Sequence, residues 1–231
     1  MTDEWVEWHR RYDSDPMLIG RLRVVRNRIR EALDRAPPGP IPVVSLCAGD
    51  GRDLLGALAD HLRAADVRAR LVELSAELCA AGREHAIQAG LRHVEFVEPD
   101  AGAPGAYAGA VPAQLVLAGG VFGNVSDRDL RSMVDRLPEL CARNATVVWT
   151  RGRFEPDLTP AIRGWFADAG FEQLAFDTVP HTTASVGTHR LVASPRWYRP
   201  EVRRFTFLPE AERPSTLARL RSERRGPTDR P

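Results

Sequence analysis

A glycine turn and an acid placed after it carry the clearest chemical pattern in this chain. Residues 42–53 read Pro-Val-Val-Ser-Leu-Cys-Ala-Gly-Asp-Gly-Arg-Asp, an apolar strand that passes through Gly49 and Gly51 into a helix beginning near Asp53. Glycine lets the backbone approach a ligand closely, and a helix N-terminus offers free N–H groups. Glu73 ends the next apolar run about 22 residues after Gly51, where a Rossmann-like unit places an acid on a ribose. The pattern indicates a nucleotide-like ligand.

Two common nucleotide motifs do not fit this turn. In a G-x-G-x-x-G frame that starts at Gly49, Leu54 stands where a small residue should let the helix pack on the strand, which disfavours NAD. All 32 of the Lys+Arg residues are arginine. A P-loop, which needs a lysine, and Schiff-base chemistry are therefore excluded.

Apolar strand-like runs alternate with helical patterns from residue 42 onward. The predicted strands are 43–47, 68–74, 93–98, 114–118, 145–150, 171–179 and 185–193. The gap between the last two is too short for a crossover helix and suits an antiparallel hairpin. The sequence therefore predicts an α/β fold, a Rossmann-like open sheet of seven mostly parallel strands flanked by helices, with an antiparallel C-terminal hairpin.

Three regions are expected along the chain. Apolar residues recur at three- and four-residue spacing between positions 18 and 33, which predicts an amphipathic helix in an N-terminal helical extension or lid, 1–40. The ligand-binding domain is expected at 41–208. Residues 209–231 are rich in Arg, Glu and Pro and are predicted to form a flexible tail.

Composition narrows the function classes. A chain of 231 residues with 43% hydrophobic content can bury one full core, and its formal net charge of +1 provides no field for nucleic acid or an anionic membrane. Its 3 cysteines are widely spaced in apolar contexts, which favours reduced thiols in a cytoplasmic protein. No metal-ligand spacing and no membrane-length apolar run is present in the sequence. A homodimer is compatible with these features.

The glycine turn resembles the first motif of the class I S-adenosyl-L-methionine (SAM)-dependent methyltransferases, acid-x-G-x-G-x-G. Gly49 and Gly51 match the last two glycines, whereas Ser45 stands at the acid and Cys47 at the first glycine. The chain is similar to bacterial members of the family that bear the string Ser-Leu-Cys-Ala-Gly-Asp-Gly-Arg-Asp. The resemblance spans about residues 42–193.

Three further segments extend the resemblance. Residues 72–75 look like the second motif, whose acid, here Glu73, binds both ribose hydroxyls of SAM. Residues 98–101 look like the third motif, whose Asp binds the adenine amino group. Residues 114–122 look like the fourth motif, which runs beneath the methionine part of SAM. SAM has no pyrophosphate, and carboxylates accept strong hydrogen bonds from a diol or an amine. The cofactor-binding residues expected from this resemblance are Ser45, Cys47, Ala48, Gly49, Asp50, Gly51, Asp53, Glu73, Leu74, Asp100, Ala101, Ala118 and Gly119.

The family acid that Ser45 replaces helps to orient the loop around the amino end of the cofactor. We hypothesise that Asp50 or Asp53 takes over this task, because both lie close by in the sequence. A helix N-cap or first-turn acid is an equally good interpretation of Asp53.

The resemblance places the acceptor site in the loops after the fourth and fifth strands, under the N-terminal segment. The predicted catalytic residues are His181 as a general base, Asn124 as an amide facing the acceptor and Tyr12 as a lid. Arg151 and Arg153 could bind a carboxylate or phosphate, although a surface position is the better prediction for each.

The expected function is methyl transfer from SAM to a small-molecule acceptor, without nucleic acid, membrane or metal. Two alternatives stay open. One is a SAM-binding protein without transferase activity, such as a sensor or partner subunit, and the other is aminopropyl transfer, which would require an acidic polyamine pocket.

Overall fold

A computed structural model of the chain describes residues 2–213 and centres on one seven-stranded sheet. The strands are β1 Ile41–Leu46, β2 Val67–Val72, β3 Val94–Val97, β4 Ala113–Ala118, β5 Cys141–Gly152, β6 Phe171–Thr178 and β7 Ala184–Leu191. Their order across the sheet is β3-β2-β1-β4-β5-β7-β6. Strands β1 to β5 run parallel, and β7 is antiparallel to both of its neighbours. The predicted Rossmann-like sheet with an antiparallel C-terminal hairpin is confirmed.

Six α-helices accompany the sheet within residues 2–213. They are α1 Thr2–Arg10, α2 Pro16–Arg35, α3 Arg52–Leu58, α4 Ala76–Gln88, α5 Asp127–Arg136 and α6 Thr159–Asp168. Short polar residues start three of them: Asp15, Ser75 and Ser126 each accept a hydrogen bond from a backbone N–H of the first turn of α2, α4 and α5. These caps fix where the helices begin.

The two faces of the sheet bury two separate hydrophobic clusters, because successive strand residues point to opposite sides. On β1, Val43 joins a cluster with α2, α3 and α4, whereas Val44 joins a cluster with α5 and α6. The second cluster contains the largest buried side chain, Trp149, which stacks on Phe122 and Phe166 at centroid distances of 5.4 and 5.9 Å. Both faces are thus covered by helices, as a parallel sheet requires.

Two predicted helix boundaries were wrong. The sequence pattern predicts one helix over 127–140, but α5 ends at Arg136, because Pro138 lacks the N–H that would continue it and a short 3-10 helix follows. The pair Thr159-Pro160 predicts Thr159 as the N-cap of the next helix, but Thr159 is instead the first residue of α6. The Asp157 carboxylate accepts the Thr159 N–H at 2.9 Å and takes the capping role.

The structure describes the first residues of the predicted flexible tail. Residues 210–212 form a 3-10 helix, and Arg213 is buried with its guanidinium 4.6 Å from the centroid of the Trp5 ring on α1. A cationic, apolar-stemmed side chain can pack well on an aromatic face, which composition alone does not reveal. The rest of that prediction, 214–231, lies outside the described residues.

A buried carboxylate attaches the segment after β7 to the sheet. Glu139 is 2% exposed, and its oxygens lie 2.5 Å from Arg199 and 3.4 Å from Arg204. Arg204 is itself buried and stacks over the Tyr198 ring at 4.9 Å. Glu139 thereby neutralises a guanidinium that the segment carries into the interior.

We expect Glu139→Ala to lower the free energy of unfolding by about 3–5 kcal/mol, because Arg204 would stay buried without its carboxylate. The matched control is Glu172→Ala, which breaks a solvent-accessible pair with Arg190 and should cost about 1 kcal/mol or less. Urea unfolding of the two variants measures the difference. Equal losses would show that Glu139 does not anchor the segment.

Candidate active site

A cavity of about 660 Å³ lies at the carboxyl ends of the parallel strands. Its walls come from the loops after β1, β2, β3 and β4, from the end of β5, and from α1 and the start of α2. Strands β2 and β3 lie on one side of β1, and β4 and the strands that follow it lie on the other side. The cavity therefore sits at the topological switch point, where open α/β sheets bind ligands.

The carboxylate of Glu73 is fixed at the rim of this cavity by two backbone groups. Oε2 accepts the N–H of Gly49 at 2.8 Å, and Oε1 accepts the N–H of Ser75 at 2.9 Å. The residue is 7% exposed and lines the cavity. Since each carboxylate oxygen has a further lone pair, Glu73 can accept two more hydrogen bonds from a bound diol.

The two glycines of the turn leave room for neighbouring side chains and do not themselves line the cavity. A Cβ on Gly51 would lie 2.7 Å from the Leu71 side chain, and a Cβ on Gly49 would lie 1.9 Å from Nε2 of His9. Cys47 takes a φ of 53°, so the position matching the family's first glycine keeps a left-handed backbone. Cys47 and Ala48 line the cavity, whereas Gly49 and Gly51 do not.

The two acids after the turn face different surroundings. Asp50 is 5% exposed and does not line the cavity; it pairs with Arg52, which does, through contacts as short as 2.6 Å. Asp53 lines the cavity, and its Oδ2 is 3.6 Å from the point that a Cβ on Gly119 would occupy. Burial raises the pKa of the Asp53 carboxyl to about 6. Of the two residues hypothesised to replace the missing acid, Asp53 lines the cavity and Asp50 does not; Asp53 is also the first-turn acid of α3, which is its other interpretation.

A second rigid acid lies beyond β3. Oδ1 of Asp100 accepts the N–H of Gly102 at 2.8 Å, and Oδ2 is 2.7 Å from Nη1 of Arg203. Ala101 is buried beside it, with its carbonyl accepting the hydroxyl of Tyr107 at 2.7 Å. Asp100 and Ala101 both line the cavity, as does Leu74 from the loop after β2.

The loop after β4 forms another part of the wall and is braced from two sides. The N–H of Gly120 donates to Oγ1 of Thr150 at 2.8 Å, and Nδ2 of Asn124 donates to the carbonyl of Gly120. Gly119, Gly120 and Asn124 line the cavity. Ala118 is fully buried behind this wall.

Helix α1 and the residues after it cover the cavity with aromatic rings. Nδ1 of His9 is 2.9 Å from the carbonyl of Trp5, so this nitrogen carries the proton and Nε2 faces Gly49 without one. Burial lowers the pKa of His9, which keeps the ring neutral. The Tyr12 hydroxyl accepts a hydrogen bond from Arg21, and both residues line the cavity.

The structure does not bring every predicted site residue to this cavity. The predicted residues that do not line it are Ser45, Gly49, Asp50, Gly51, Ala118 and His181. His181 lies exposed in the turn between β6 and β7 with a φ of 59°, a placement that argues against the expected general-base role because a base must reach the acceptor.

Sequence reasoning missed other residues of the wall. Arg21 was not singled out, although it adjoins the apolar stripe of α2. Arg151, expected at the surface, is 7% exposed. Thr150, which holds the β4 loop, could not be predicted, because the sequence shows only a hydroxyl residue at the end of a strand.

Within residues 2–213, no group of three or more His, Cys, Asp or Glu side chains is arranged to hold a metal ion. None of the helices in this part of the chain has the length and apolar character needed to cross a membrane.

Comparison with known proteins gives the class of fold. Magnesium protoporphyrin IX methyltransferase (ChlM) from Synechocystis PCC 6803, solved with bound SAM, is 13% identical and matches over 81% of this chain and 90% of its own, with a TM-score of 0.62. An O-methyltransferase family protein from Burkholderia thailandensis is 18% identical over 78% of this chain, with a TM-score of 0.60, and this chain spans 58% of its length. The CurJ carbon methyltransferase is 13% identical over 83% of this chain and 59% of its own, with a TM-score of 0.64.

No protein-family model and no curated protein sequence matches the chain. The chain has the class I methyltransferase fold, with the parallel core and antiparallel C-terminal strands described above. Identities this low establish a shared fold and leave the reaction to be argued from the site.

We expect Gly49→Ala to detach α1, because the new Cβ would overlap Nε2 of His9. Gly105→Ala is the matched control: Gly105 has a φ of 77° but nothing within 4 Å of the point that a Cβ would occupy, so it shares only the backbone strain. Hydrogen–deuterium exchange over residues 2–13 should accelerate in Gly49→Ala alone. Equal protection of this segment in both variants would disprove the contact.

We expect Asp53→Asn to raise the free energy of unfolding by about 1–3 kcal/mol near pH 7.5, because it removes a half-buried charge. The folded pKa of about 6 lies above the ordinary value of 3.8. The gain should therefore be absent below about pH 4, grow towards about pH 6 and stay constant above it. Urea unfolding of both proteins across this range measures it, and a pH-independent difference would contradict the account.

Proposed function

We propose that this protein binds SAM in the cavity at the switch point and transfers its methyl group to a small-molecule acceptor. The observation that carries the proposal is the Glu73 carboxylate, which two backbone N–H groups hold at the cavity rim with lone pairs to spare. The methyltransferase fold and a fold neighbour solved with bound SAM support it.

The chemistry of the wall fits the proposed cofactor. SAM presents a ribose diol, an adenine amino group and an ammonium, all of which donate hydrogen bonds, together with a sulfonium cation. Three of the acids that line the cavity suit these donors, Glu73 the diol, Asp100 the adenine and Asp53 the ammonium. A cation beside Asp53 would favour its ionised form and offset the cost of burying it. The volume of about 660 Å³ is in the range of cofactor sites.

When bound, SAM supplies a methyl group already activated by its sulfonium. The protein therefore needs chiefly to align the acceptor and exclude water. Tyr12 and the aromatic residues of α1 cover the cavity, and Asn124 braces the β4 loop that would lie beneath the methionine part. We assign both residues to positioning. The thiol of Cys47 lines the cavity in its protonated form, because burial raises its pKa.

A small-molecule acceptor in the cytoplasm is the setting that we propose. The net charge of +1 gives no extended field for a nucleic-acid partner. The three cysteines are free thiols, as is usual in a reducing compartment.

The proposal predicts that Glu73→Ala weakens binding of S-adenosylhomocysteine about 100-fold, because two charge-assisted hydrogen bonds to the ribose are lost. Glu77→Ala, which removes an exposed acid from the first turn of α4, should leave the affinity unchanged. Isothermal titration calorimetry measures both. Full binding by Glu73→Ala, or no binding by the wild type, would defeat the proposal.

Turnover is tested separately by transfer of a labelled methyl group from SAM across a panel of small hydroxylated, amino and carboxylated compounds. Transfer by the wild type and its loss in Glu73→Ala would support the enzyme. Tight cofactor binding without transfer to any compound would instead favour a SAM-binding protein without transferase activity.

A further inference from the structure

A buried guanidinium lies in the cavity wall at the end of β5. The side chain of Arg151 is 6% exposed, and its Nη1 donates to the carbonyl of Phe122. The nearest carboxylate oxygen among the described residues belongs to Asp127, 4.0 Å from Nη2 and beyond hydrogen-bond distance. Asp127 is itself 71% exposed, so water screens most of its effect. Burying a cation that no nearby carboxylate neutralises costs free energy of folding, unless a bound ligand supplies the negative charge.

Other arginines of the same wall already have partners. Arg52 is paired with Asp50 at 2.6 Å, and Arg11 with Asp15 at 2.7 Å. Arg21 donates to the Tyr12 hydroxyl and lies over its ring. Arg151 differs from them as a buried cation that has no carboxylate within hydrogen-bond distance among residues 2–213.

Arg151 and the three acids assigned to the cofactor lie at two different ends of the cavity wall. The three acids assigned to the cofactor come from the loops after β1, β2 and β3, whereas Arg151 comes from β5 on the other side of β4. SAM carries a net positive charge, which the acidic end suits. The basic end suits a molecule of the opposite sign.

Part of the wall beside Arg151 is apolar. Phe154 follows it in the wall, and Ala184 of the neighbouring strand lines the cavity next to it. Across the opening, Sδ of Met17 is 3.9 Å from Oγ1 of Thr183, which brings the start of α2 against the hairpin. The side chains of Phe154 and Ala184 suit an anion that carries an apolar body.

We propose that this end of the cavity binds the methyl acceptor, and that the acceptor is a carboxylate on an apolar body, held by the guanidinium of Arg151. One buried guanidinium balances one negative charge, which a carboxylate carries and a phosphate dianion exceeds. The free edge of the guanidinium can take a carboxylate in a bidentate manner. This assignment rests on the proposed function, because the acidic end must hold the cofactor for the basic end to hold the acceptor.

The test uses 2-naphthoate and 2-naphthamide, which share a shape and differ in charge. Calorimetry with protein saturated with S-adenosylhomocysteine should show 2-naphthoate binding at least about tenfold more tightly than the amide. In Arg151→Gln this preference should vanish, whereas Arg143→Gln, an exposed arginine on the same strand, should keep it. The affinity for S-adenosylhomocysteine should be unchanged in both variants, which also shows that they are folded.

Equal binding of the two probes by the wild type, or a preference that survives in Arg151→Gln, would overturn the assignment. Tighter binding of 2-naphthyl phosphate than of 2-naphthoate would overturn the choice of a carboxylate. If Arg151→Gln does not fold, Arg151→Lys serves: it keeps the charge and loses the fork, so the preference should shrink but persist. Failure of S-adenosylhomocysteine to bind the wild type would instead contradict the proposed function. The preference for 2-naphthoate over 2-naphthamide would then be measured on the protein without S-adenosylhomocysteine, and it would still decide the role of Arg151.

Discussion

The structure at the switch point depends on one interaction, the carboxylate of Glu73 held between the loops after β1 and β2. Its two oxygens accept the N–H groups of Gly49 and Ser75. Gly49 reaches Glu73 with a φ of 59°, which glycine adopts without steric cost. The same turn starts α3 and places Asp53 on the cavity wall, and the bare Cα of Gly49 leaves room for His9 of α1. Glu73, the glycine turn and helix α1 therefore depend on one another for their positions.

The cavity wall holds the three acids assigned to the cofactor and a buried guanidinium on opposite sides of β4, although the chain as a whole is almost neutral. Acids come from the loops after β1, β2 and β3, and a buried guanidinium comes from β5. A low-dielectric wall strengthens such an arrangement, since charges that are removed from water interact more strongly. The net charge of +1 conceals this pattern, because it averages over surface pairs that do not reach the site.

The fold was accessible from the sequence because it follows from local periodicity. Alternating strands and helices, polar residues at helix starts and the short gap before β7 all act over a few residues. Glu73 was expected from its place at the end of an apolar run, and Asp100 from the resemblance of residues 98–101 to the third motif; both line the cavity. The placement of His181, Asp50 and Arg151 could not be inferred in this way, since the direction of a loop or strand-end side chain is set by tertiary contacts such as the pair between Asp50 and Arg52.

The central claim is that Glu73 and Asp100 together hold an adenosine at the switch point. A crystal structure of the protein with S-adenosylhomocysteine tests it most directly. The account predicts both ribose hydroxyls within hydrogen-bond distance of the Glu73 carboxylate, the adenine beside Asp100 and Ala101, and the amino end of the ligand near Asp53. A ligand bound elsewhere, for example in the cavity of about 460 Å³ at the opposite edge of the sheet beside Arg68 and Arg70, would contradict it.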